Sequence, residues 1–386
     1  MSARKRILVV FGTRPEAIKM APLIIELKKT PEAFDVKVCV TAQHREMLDQ
    51  VLHIFNITPD FDLNIMRDNQ SLFDTTIEVL RGIGEILKTY KPDLVLVHGD
   101  TTTSMAAAMA AFYLKVRIGH VEAGLRTNDM RAPWPEEMNR QVTDRISDLY
   151  FVPTQTSRDN LLKENIQESK IFITGNTVID ALLIADNLIT NSKELETKII
   201  SSIMDAGYDM GRLDKKEQML ILVTGHRREN FGKGFLNICQ ALGELATTHQ
   251  DVDIVYPVHL NPNVRGPVYE RLSGHSNIFL IPPVEYLPFI YLMKNSYLIL
   301  TDSGGVQEEA PSFGKPVLVM RELTERPEAV KAGTVILVGT NESSIKKHVE
   351  RLLIDKTFYR QTAQKINPYG DGLASIKICK VLRNFN

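Results

Sequence analysis

The sequence predicts an α/β fold built as two similar domains that face one another across a cleft. Twelve short apolar runs, separated by longer amphipathic segments, mark alternating strands and helices. The runs are continuous in their apolar character, which means burial on both faces and therefore parallel sheets covered by helices. They fall into two sets of six on either side of a polar stretch, 183–217, which contains ITNSKELETK and DMGRLDKKEQ and no strong apolar run. That stretch is the expected domain junction.

The first set of strands is expected at 7–11, 36–40, 94–97, 116–121, 149–152 and 171–174. In a parallel sheet, ligands bind beyond the carboxyl ends of the strands, so the residues that follow each run are the candidates for chemistry. After the first run comes FGTRPEAIKMAP (11–22). Pro15 suits a first helical position, and Arg14 and Lys19 near that helix start make a plausible anion site. Neither a G-x-G-x-x-G fingerprint nor a P-loop occurs in the chain. Three carboxylates follow within about forty residues. Asp100 ends the run LVLVHGD, Glu122 ends VRIGHVE, and Glu136 follows Pro135 where a helix should begin. Asp100, followed by Thr101, Thr102, Thr103 and Ser104, also fits a helix cap, and Glu136 and Glu137 suit a first helical turn. Glu122 has no such structural role in prospect.

The second set is expected at 219–225, 252–258, 278–281, 297–302, 316–320 and 334–339. Here YLILTDSGGVQEEAPSFGKP (297–316) reads as strand, glycine turn and helix. The backbone N–H groups of Gly304 and Gly305, next to Ser303, are suited to a diphosphate, and Glu308 and Glu309 to ribose hydroxyls. TGHRREN (224–230) places His226, Arg227 and Arg228 at another strand end, an electropositive cluster that can stabilise a leaving diphosphate. Arg326, before Pro327, sits on a loop that can face the same cleft.

Composition narrows the function. Forty-six basic and 47 acidic side chains nearly cancel, so a broad nucleic-acid or anionic-membrane surface is not expected. Hydrophobic residues make up 44% of the 386 residues, ample for full-sized cores. Cys39, Cys239 and Cys379 are few, odd in number and far apart, which argues against a disulfide framework. The apolar run after the basic start is too short for a signal peptide, and no run reaches membrane-spanning length; a cytoplasmic protein is expected. Asp60-Phe61-Asp62 and Asp251-Val252-Asp253 match a short metal-binding aspartate pattern, but both lie among loop or strand-start residues. The nine histidines show no zinc spacing. Neither a metal nor a cofactor is expected, and Trp134 between prolines reads as a loop anchor.

Ten motifs occur in order: FGTRPEAIKMAP, TAQHREML, HGDTTTS, HVEAGLRT, PWPEEMNR, GNTVIDAL, TGHRREN, HLNPNVR, DSGGVQEEAPS and TERPEAV. Together, from Ile7 to about Gly372, they resemble the non-hydrolysing UDP-N-acetylglucosamine 2-epimerases. The resemblance implies two Rossmann-like domains in the glycosyltransferase type B architecture, divided as 1–182 and 183–371. It also implies a final helix, about 372–386, returning to the first domain. It implies reversible epimerisation at C2, in which UDP leaves to give 2-acetamidoglucal and then re-adds. Asp100, Glu122 and Glu136 match the acid/base positions, and His226 the residue near the leaving diphosphate. Arg14, Lys19, Ser303, Gly304, Gly305, Glu309 and Arg326 match nucleotide-binding positions, and Phe289 a uracil contact. Val284 and Glu46 stand where some relatives have glutamine. Gln43, His44, Arg67, Arg227 and His259 match or lie near a second site, at which some relatives bind another UDP-N-acetylglucosamine as activator. A homodimer is implied as well. A hydrolysing epimerase, a type-B UDP-sugar glycosyltransferase and a silent UDP-sugar-binding regulator are the alternatives.

Overall fold

A computed structural model describes residues 4–42, 45–67, 70–214 and 218–385, without the side chains of residues 45 and 46. The chain divides into two compact units, 1–181 with 369–386, and 182–368.

The first unit holds a seven-stranded parallel sheet: β1 (Lys5–Phe11), β2 (Phe34–Val40), β3 (Phe61–Asp62), β4 (Leu94–His98), β5 (Arg117–Val121), β6 (Leu149–Val152) and β7 (Ile171–Ile173). Its order is β3-β2-β1-β4-β5-β6-β7. The crossovers are α1 (Arg14–Lys28), α2 (Arg45–Ile54), α3 (Leu72–Tyr90), α4 (Thr102–Tyr113), α5 (Glu136–Ile146) and α6 (Gln155–Lys163). Chain direction reverses across the sheet between β1 and β4, so the turns after those two strands lie side by side. This is where open α/β sheets bind ligands. The alanine-rich α4 is buried almost all round. Ala106, Ala107 and Ala111 pack with Val95 and Val97 of the sheet and with Val79 and Ile83 of α3 in one core. A helix apolar on every face belongs in such an interior position.

In the second unit the strands are β8 (Met219–Thr224), β9 (Val252–Pro257), β10 (Ile278–Ile281), β11 (Leu298–Thr301), β12 (Val317–Val319) and β13 (Val335–Leu337). They are parallel, in the order β10-β9-β8-β11-β12-β13. The reversal point is now between β8 and β11. The helices are α7 (Thr177–Thr190), which begins in the first unit, α8 (Lys193–Ala206), α9 (Lys233–Thr248), α10 (Pro262–Leu272), α11 (Tyr286–Asn295), α12 (Gly304–Glu309), α13 (Pro327–Ala332), α14 (Glu342–Ile354) and α15 (Lys356–Ala363). Phe235, Ile238 and Leu242 of α9 meet Ile345 and Val349 of α14 against Ile221, Val223 and Leu300 of the sheet. Fully burying a side chain of this size contributes about 1.5–3 kcal/mol.

All twelve expected strands are present, with ends shifted by up to two residues. The thirteenth, β3, is only Phe61–Asp62, too short to make an apolar run. Across the polar stretch the described residues are mostly helical, in α7, α8 and a 3-10 turn at Met210–Asp214. The aspartate pairs are structural. Asp60 accepts from Lys37 Nζ at 2.7 Å and from the N–H of Val38 at 2.9 Å. Asp253, fully buried, accepts from both guanidinium arms of Arg212 at 2.8 and 2.9 Å and from Gln218 at 2.9 Å. Among the described residues, no helix is long and apolar enough to cross a membrane, and no group of three His, Cys, Asp or Glu side chains is placed to hold a metal ion.

The last helix, α16 (Ala374–Asn384), belongs to the first unit and packs on α1. Its free N-terminal N–H groups are met by Asp180, which accepts from Ser375 at 2.8 Å and Ala374 at 3.2 Å. Losing a side-chain cap of this kind costs about 1 kcal/mol. Asp180→Ala is therefore expected to raise hydrogen exchange in 374–384 roughly fivefold, with exchange in the second unit's sheet unchanged. Mass-spectrometric exchange measured at both places checks it.

Candidate active site

At the reversal point of the first sheet, Gly12 follows β1. A Cβ there would run into the hydroxyls of Thr41 and Thr103, so only glycine lets the turn approach α4. Glu16, on the first turn of α1, points back beneath this turn and is almost wholly buried. Its carboxylate accepts from the N–H of Thr13 at 2.8 Å and of Gly12 at 3.1 Å. It also accepts from the hydroxyls of Thr101 at 2.7 Å and Ser104 at 3.0 Å. One side chain thus ties the turn that carries Arg14 to the turn that carries Asp100. Burial raises its carboxyl above the usual range, against the pull of these hydrogen bonds.

Asp100 does not cap α4; Thr101 does, accepting from Ser104 N at 3.1 Å. That leaves Asp100 for Arg140, which donates to Oδ2 at 2.6 Å, while Asn139 holds its backbone carbonyl at 2.9 Å. Although 31% of the side chain stays exposed, the surrounding protein crowds the carboxyl and raises it above the ordinary aspartate range. Arg140 opposes that rise, and the negative charges of Glu122 and Glu136 add to it. The structure therefore brings all three carboxylates close enough for Asp100 to sense the other two.

Glu122 stands at a backbone φ of +64°, the left-handed region that a non-glycine residue rarely occupies. Its carboxylate receives the ammonium of Lys19 and, at 2.7 Å, the amide of Asn176. The Asn176 amide is oriented, because its oxygen must accept from Val178 N at 3.0 Å. His98 Nε2 lies 3.8 Å from the same oxygen of Glu122. Glu136 opens α5, and its Oε2 is buried with no hydrogen-bond partner among the described residues. The structural work falls to its neighbour: buried Glu137 accepts from the N–H groups of Thr127 and Asn128, each at 3.1 Å, and from Gln141 at 2.8 Å. That fastens the loop before α5. Trp134 in this loop is 66% exposed, so Glu137 rather than the indole is the anchor.

Below the carboxylates runs a buried ionic chain. His120 meets the carbonyl of Gly99 at 2.8 Å and Asp144 at 2.6 Å, and Asp144 meets Arg126 at 2.8 Å and the N–H of Gly124 at 3.2 Å. Burial alone would raise the Asp144 carboxyl; His120 and Arg126 outweigh it and hold the group below its usual range. This chain fixes the residues on either side of Asp100 and Glu122.

In the second unit, the turn after β8 is tied to the end of β11 by Asp302. This fully buried carboxylate accepts from the N–H groups of Arg227 at 2.8 Å and His226 at 2.9 Å, and from Asn230 at 3.3 Å. His226 Nδ1 lies 3.6 Å from the other oxygen of Asp302, and its ring stacks on His259 at 5.4 Å. Burial lowers the His226 imidazole below its ordinary value, partly offset by Asp302. The guanidinium groups of Arg326 and Arg227 approach Gly304, 3.7 and 3.9 Å from where its Cβ would be. Glu308 is buried and paired with Arg326, so it braces that cation and does not face open space as its neighbour Glu309 does in part. Ser303 and Gly305 flank Gly304, and Phe289 is half-buried on α11. Of the second-site residues, Gln43 and His44 fall outside the described residues, as does the Glu46 side chain. Arg67 is exposed and paired with Glu78 at 2.8 Å, and His259 lies just past β9.

A family model described as UDP-N-acetylglucosamine 2-epimerase matches residues 25–383. The chain belongs to that family. The UDP-N-acetylglucosamine 2-epimerase of Escherichia coli K12 is 59% identical over 380 residues, covering 98% of each chain. That of Campylobacter jejuni is 55% identical over 378 residues, covering 98% of this chain and 97% of the other. A crystal structure of UDP-GlcNAc 2-epimerase from Neisseria meningitidis bound to UDP-GlcNAc matches with a TM-score of 0.89 at 49% identity, covering 98% of this chain and all of that one. In this member of the UDP-N-acetylglucosamine 2-epimerase family, sequence reasoning passed over His98, Asn176, Arg140 and the His120–Asp144–Arg126 chain. His98 and Asn176 lie at strand ends beside glycine, a signal that was there to use. The others depend on contacts between distant segments.

His98 is buried, and burial pulls its imidazole down to about 3, against the attraction of Glu122. A base whose folded value lies below its unfolded value near 6.5 makes the unfolded chain bind more protons in between. Stability is then present above pH 6.5 and lost as pH falls below it. Denaturant unfolding at pH 6.5 and pH 5 is expected to show His98→Phe losing about 1–2 kcal/mol less than the parent over that interval. Equal losses would contradict it.

Proposed function

We propose that the protein catalyses the reversible, non-hydrolytic epimerisation of UDP-N-acetylglucosamine at C2 to UDP-N-acetylmannosamine. The observation that carries the reading is the convergence of Asp100, Glu122 and Glu136 beyond β4 and β5, with Lys19 and Arg140 among them. The C2 hydrogen of the substrate is not next to a carbonyl, so direct deprotonation is very difficult. Elimination avoids that step. A carboxylate takes the C2 proton, the C–H electron pair becomes the C1=C2 bond of 2-acetamidoglucal, and the C1–O bond breaks with its pair leaving on UDP. Return is the reverse on the other face: C2 takes a proton from a carboxylic acid and the UDP oxygen attacks C1. Protons must therefore be handled on both faces of one ring, which calls for at least two acid/base groups with different proton affinities. The Asp100 carboxyl, raised by burial, and the Glu122 carboxylate, held by Lys19, are the candidates for these roles. In the second unit, His226 and the guanidinium groups near Gly304 suit the negative charge that builds on a departing diphosphate.

The reading is tested by incubating the protein with UDP-N-acetylglucosamine alone in D₂O and following the sugar by NMR. Both UDP-sugars carrying deuterium at C2 are expected. Free N-acetylmannosamine with UDP would indicate a hydrolysing enzyme, turnover only with an acceptor a glycosyltransferase, and binding alone a regulator. Positioned acid/base groups contribute roughly 10²–10⁴-fold. Asp100→Asn, Glu122→Gln and Glu136→Gln are each expected to lower kcat by about 100-fold or more with folding intact. Near-normal turnover in any one removes that residue from the chemistry.

A further inference from the structure

Beneath Glu122 lies a histidine that the reaction outlined above leaves unused. His98 ends β4, is 3% exposed, and its Nε2 makes no hydrogen bond among the described residues. A buried polar atom without a partner is unusual enough to need a reason. The nearest group of opposite charge is Glu122, 3.8 Å away. Had Nε2 carried its proton, an N–H facing a carboxylate at that range would close to a hydrogen bond of about 2.8 Å. A lone pair facing the carboxylate keeps its distance. A neutral ring whose Nε2 is bare carries its one proton on Nδ1.

We propose that His98 is the positioning residue for proton transfer at Glu122: its Nε2 accepts the hydrogen bond of the protonated carboxyl formed each time Glu122 takes a proton from the sugar. The inference rests on the reading of Glu122 as an acid/base group. While Glu122 is ionised, Lys19 and Asn176 satisfy it and His98 stands off. When the proton arrives, the carboxyl O–H turns to Nε2 and the gap closes by about 1 Å to ordinary O–H···N length. The two states of one carboxylate thus have separate partners, and the protonated state is oriented rather than free to rotate. Nε2 plays this part only if the ring stays neutral. The charged and titratable groups around it are His120 from β5 and Glu122 just past it, Lys19 and Glu16 from α1, and Asp100 from the adjoining turn. Burial keeps the ring neutral throughout the physiological range.

Two measurements test this. In His98→Phe, a ring of similar shape without the acceptor, kcat is expected to fall about 10- to 100-fold. Loss of a partner for the protonated form lowers the proton affinity of Glu122, so the limb of the kcat–pH profile that reports it should move about one unit to lower pH, a tenfold change. His98→Gln, whose amide oxygen can accept the same bond, should recover most of that displacement. A fall in kcat with an unmoved profile would reduce His98 to packing and overturn the proposal. The second readout needs no turnover: ¹⁵N-histidine NMR on the intact protein should show His98 as the Nδ1–H tautomer from pH 6 to 9. In Glu122→Gln its Nε2 signal should shift as the amide donates to it. A protonated Nε2, or no response to Glu122→Gln, would also overturn it. If the parent enzyme turns over and labels C2 but these outcomes fail, the proposal for His98 falls alone; if it does not label C2, the functional reading falls and the NMR arm still decides whether Nε2 and Glu122 are coupled.

Discussion

Each sheet reverses direction once, and at that point two turns from distant parts of the sequence must be fastened side by side without stranding their polar groups. Both units meet this constraint with one buried carboxylate. Glu16 gathers two backbone N–H groups from the turn after β1 and two hydroxyls from the turn after β4. Asp302, placed at the end of β11, gathers two backbone N–H groups from the turn after β8. A carboxylate suits the task because it has four acceptor sites in one plane, enough to replace the water that both turns give up. Hydrogen bonds to a charged partner contribute about 1.5–3 kcal/mol each, which offsets much of the cost of burying the charge. In the proposed reading, the side chains that face the ligand are others than these two.

That division of labour explains how much of the molecule was legible in its sequence. Strands announce themselves because a parallel sheet covered on both faces needs uninterrupted apolar runs, and the runs before Asp100 and Glu122 are of that kind. β3 escaped because two residues cannot make a run. Glu122 stood out as a carboxylate at the end of a buried strand with no helix to cap. The sequence singled out Glu136 by its place after Pro135 and by the family motif, and the structure gives the two neighbours different surroundings: Glu137 clasps the loop before α5, while Glu136 has a buried oxygen without a partner among the described residues. Arg140 reaching Asp100 across forty positions, or Asp144 reaching His120, is invisible in a linear reading, because neither spacing nor composition encodes which helix lies over which strand end. The same limit applied to the ion pair of Glu308 with Arg326, eighteen positions away.

The three carboxylates occupy three environments, and the contrast bears on chemistry more than their number does. Glu122 is met by an ammonium and an amide. Asp100 is paired with a guanidinium, yet crowded by protein and by two like charges. Glu136 has an oxygen with no donor among the described residues. Groups of the same chemical type in a similar setting would share one proton affinity and compete for one proton. In the proposed reaction, moving a proton from one face of the ring to the other needs the opposite: one group ready to accept and another ready to give at the same pH. Arg140 draws the Asp100 carboxyl down against the rise that burial causes, and it is itself held by folding contacts. Arg140 bridges Asp100 and Glu137, so the charge that tunes one carboxyl is fixed by the residue that pins the neighbouring loop.

Several buried polar atoms have no hydrogen-bond partner among the described residues, and two of them stand opposite an ionisable side chain: Nε2 of His98 and Oδ1 of Asp302. Each faces a titratable partner just beyond bonding range, Glu122 at 3.8 Å and His226 at 3.6 Å. Leaving a buried acceptor without a donor costs about 1–3 kcal/mol, and the surrounding turns are so well satisfied that the vacancies are not a sign of loose packing. Oδ1 of Asp302 is an acceptor, and so is Nε2 of His98 in the tautomer proposed above. An acceptor held at that distance favours its neighbour's protonated form without locking it, because the bond is available only when a proton is there to make it. Each unit therefore holds, among its unmet hydrogen-bonding atoms, one that a change in its neighbour's protonation could use.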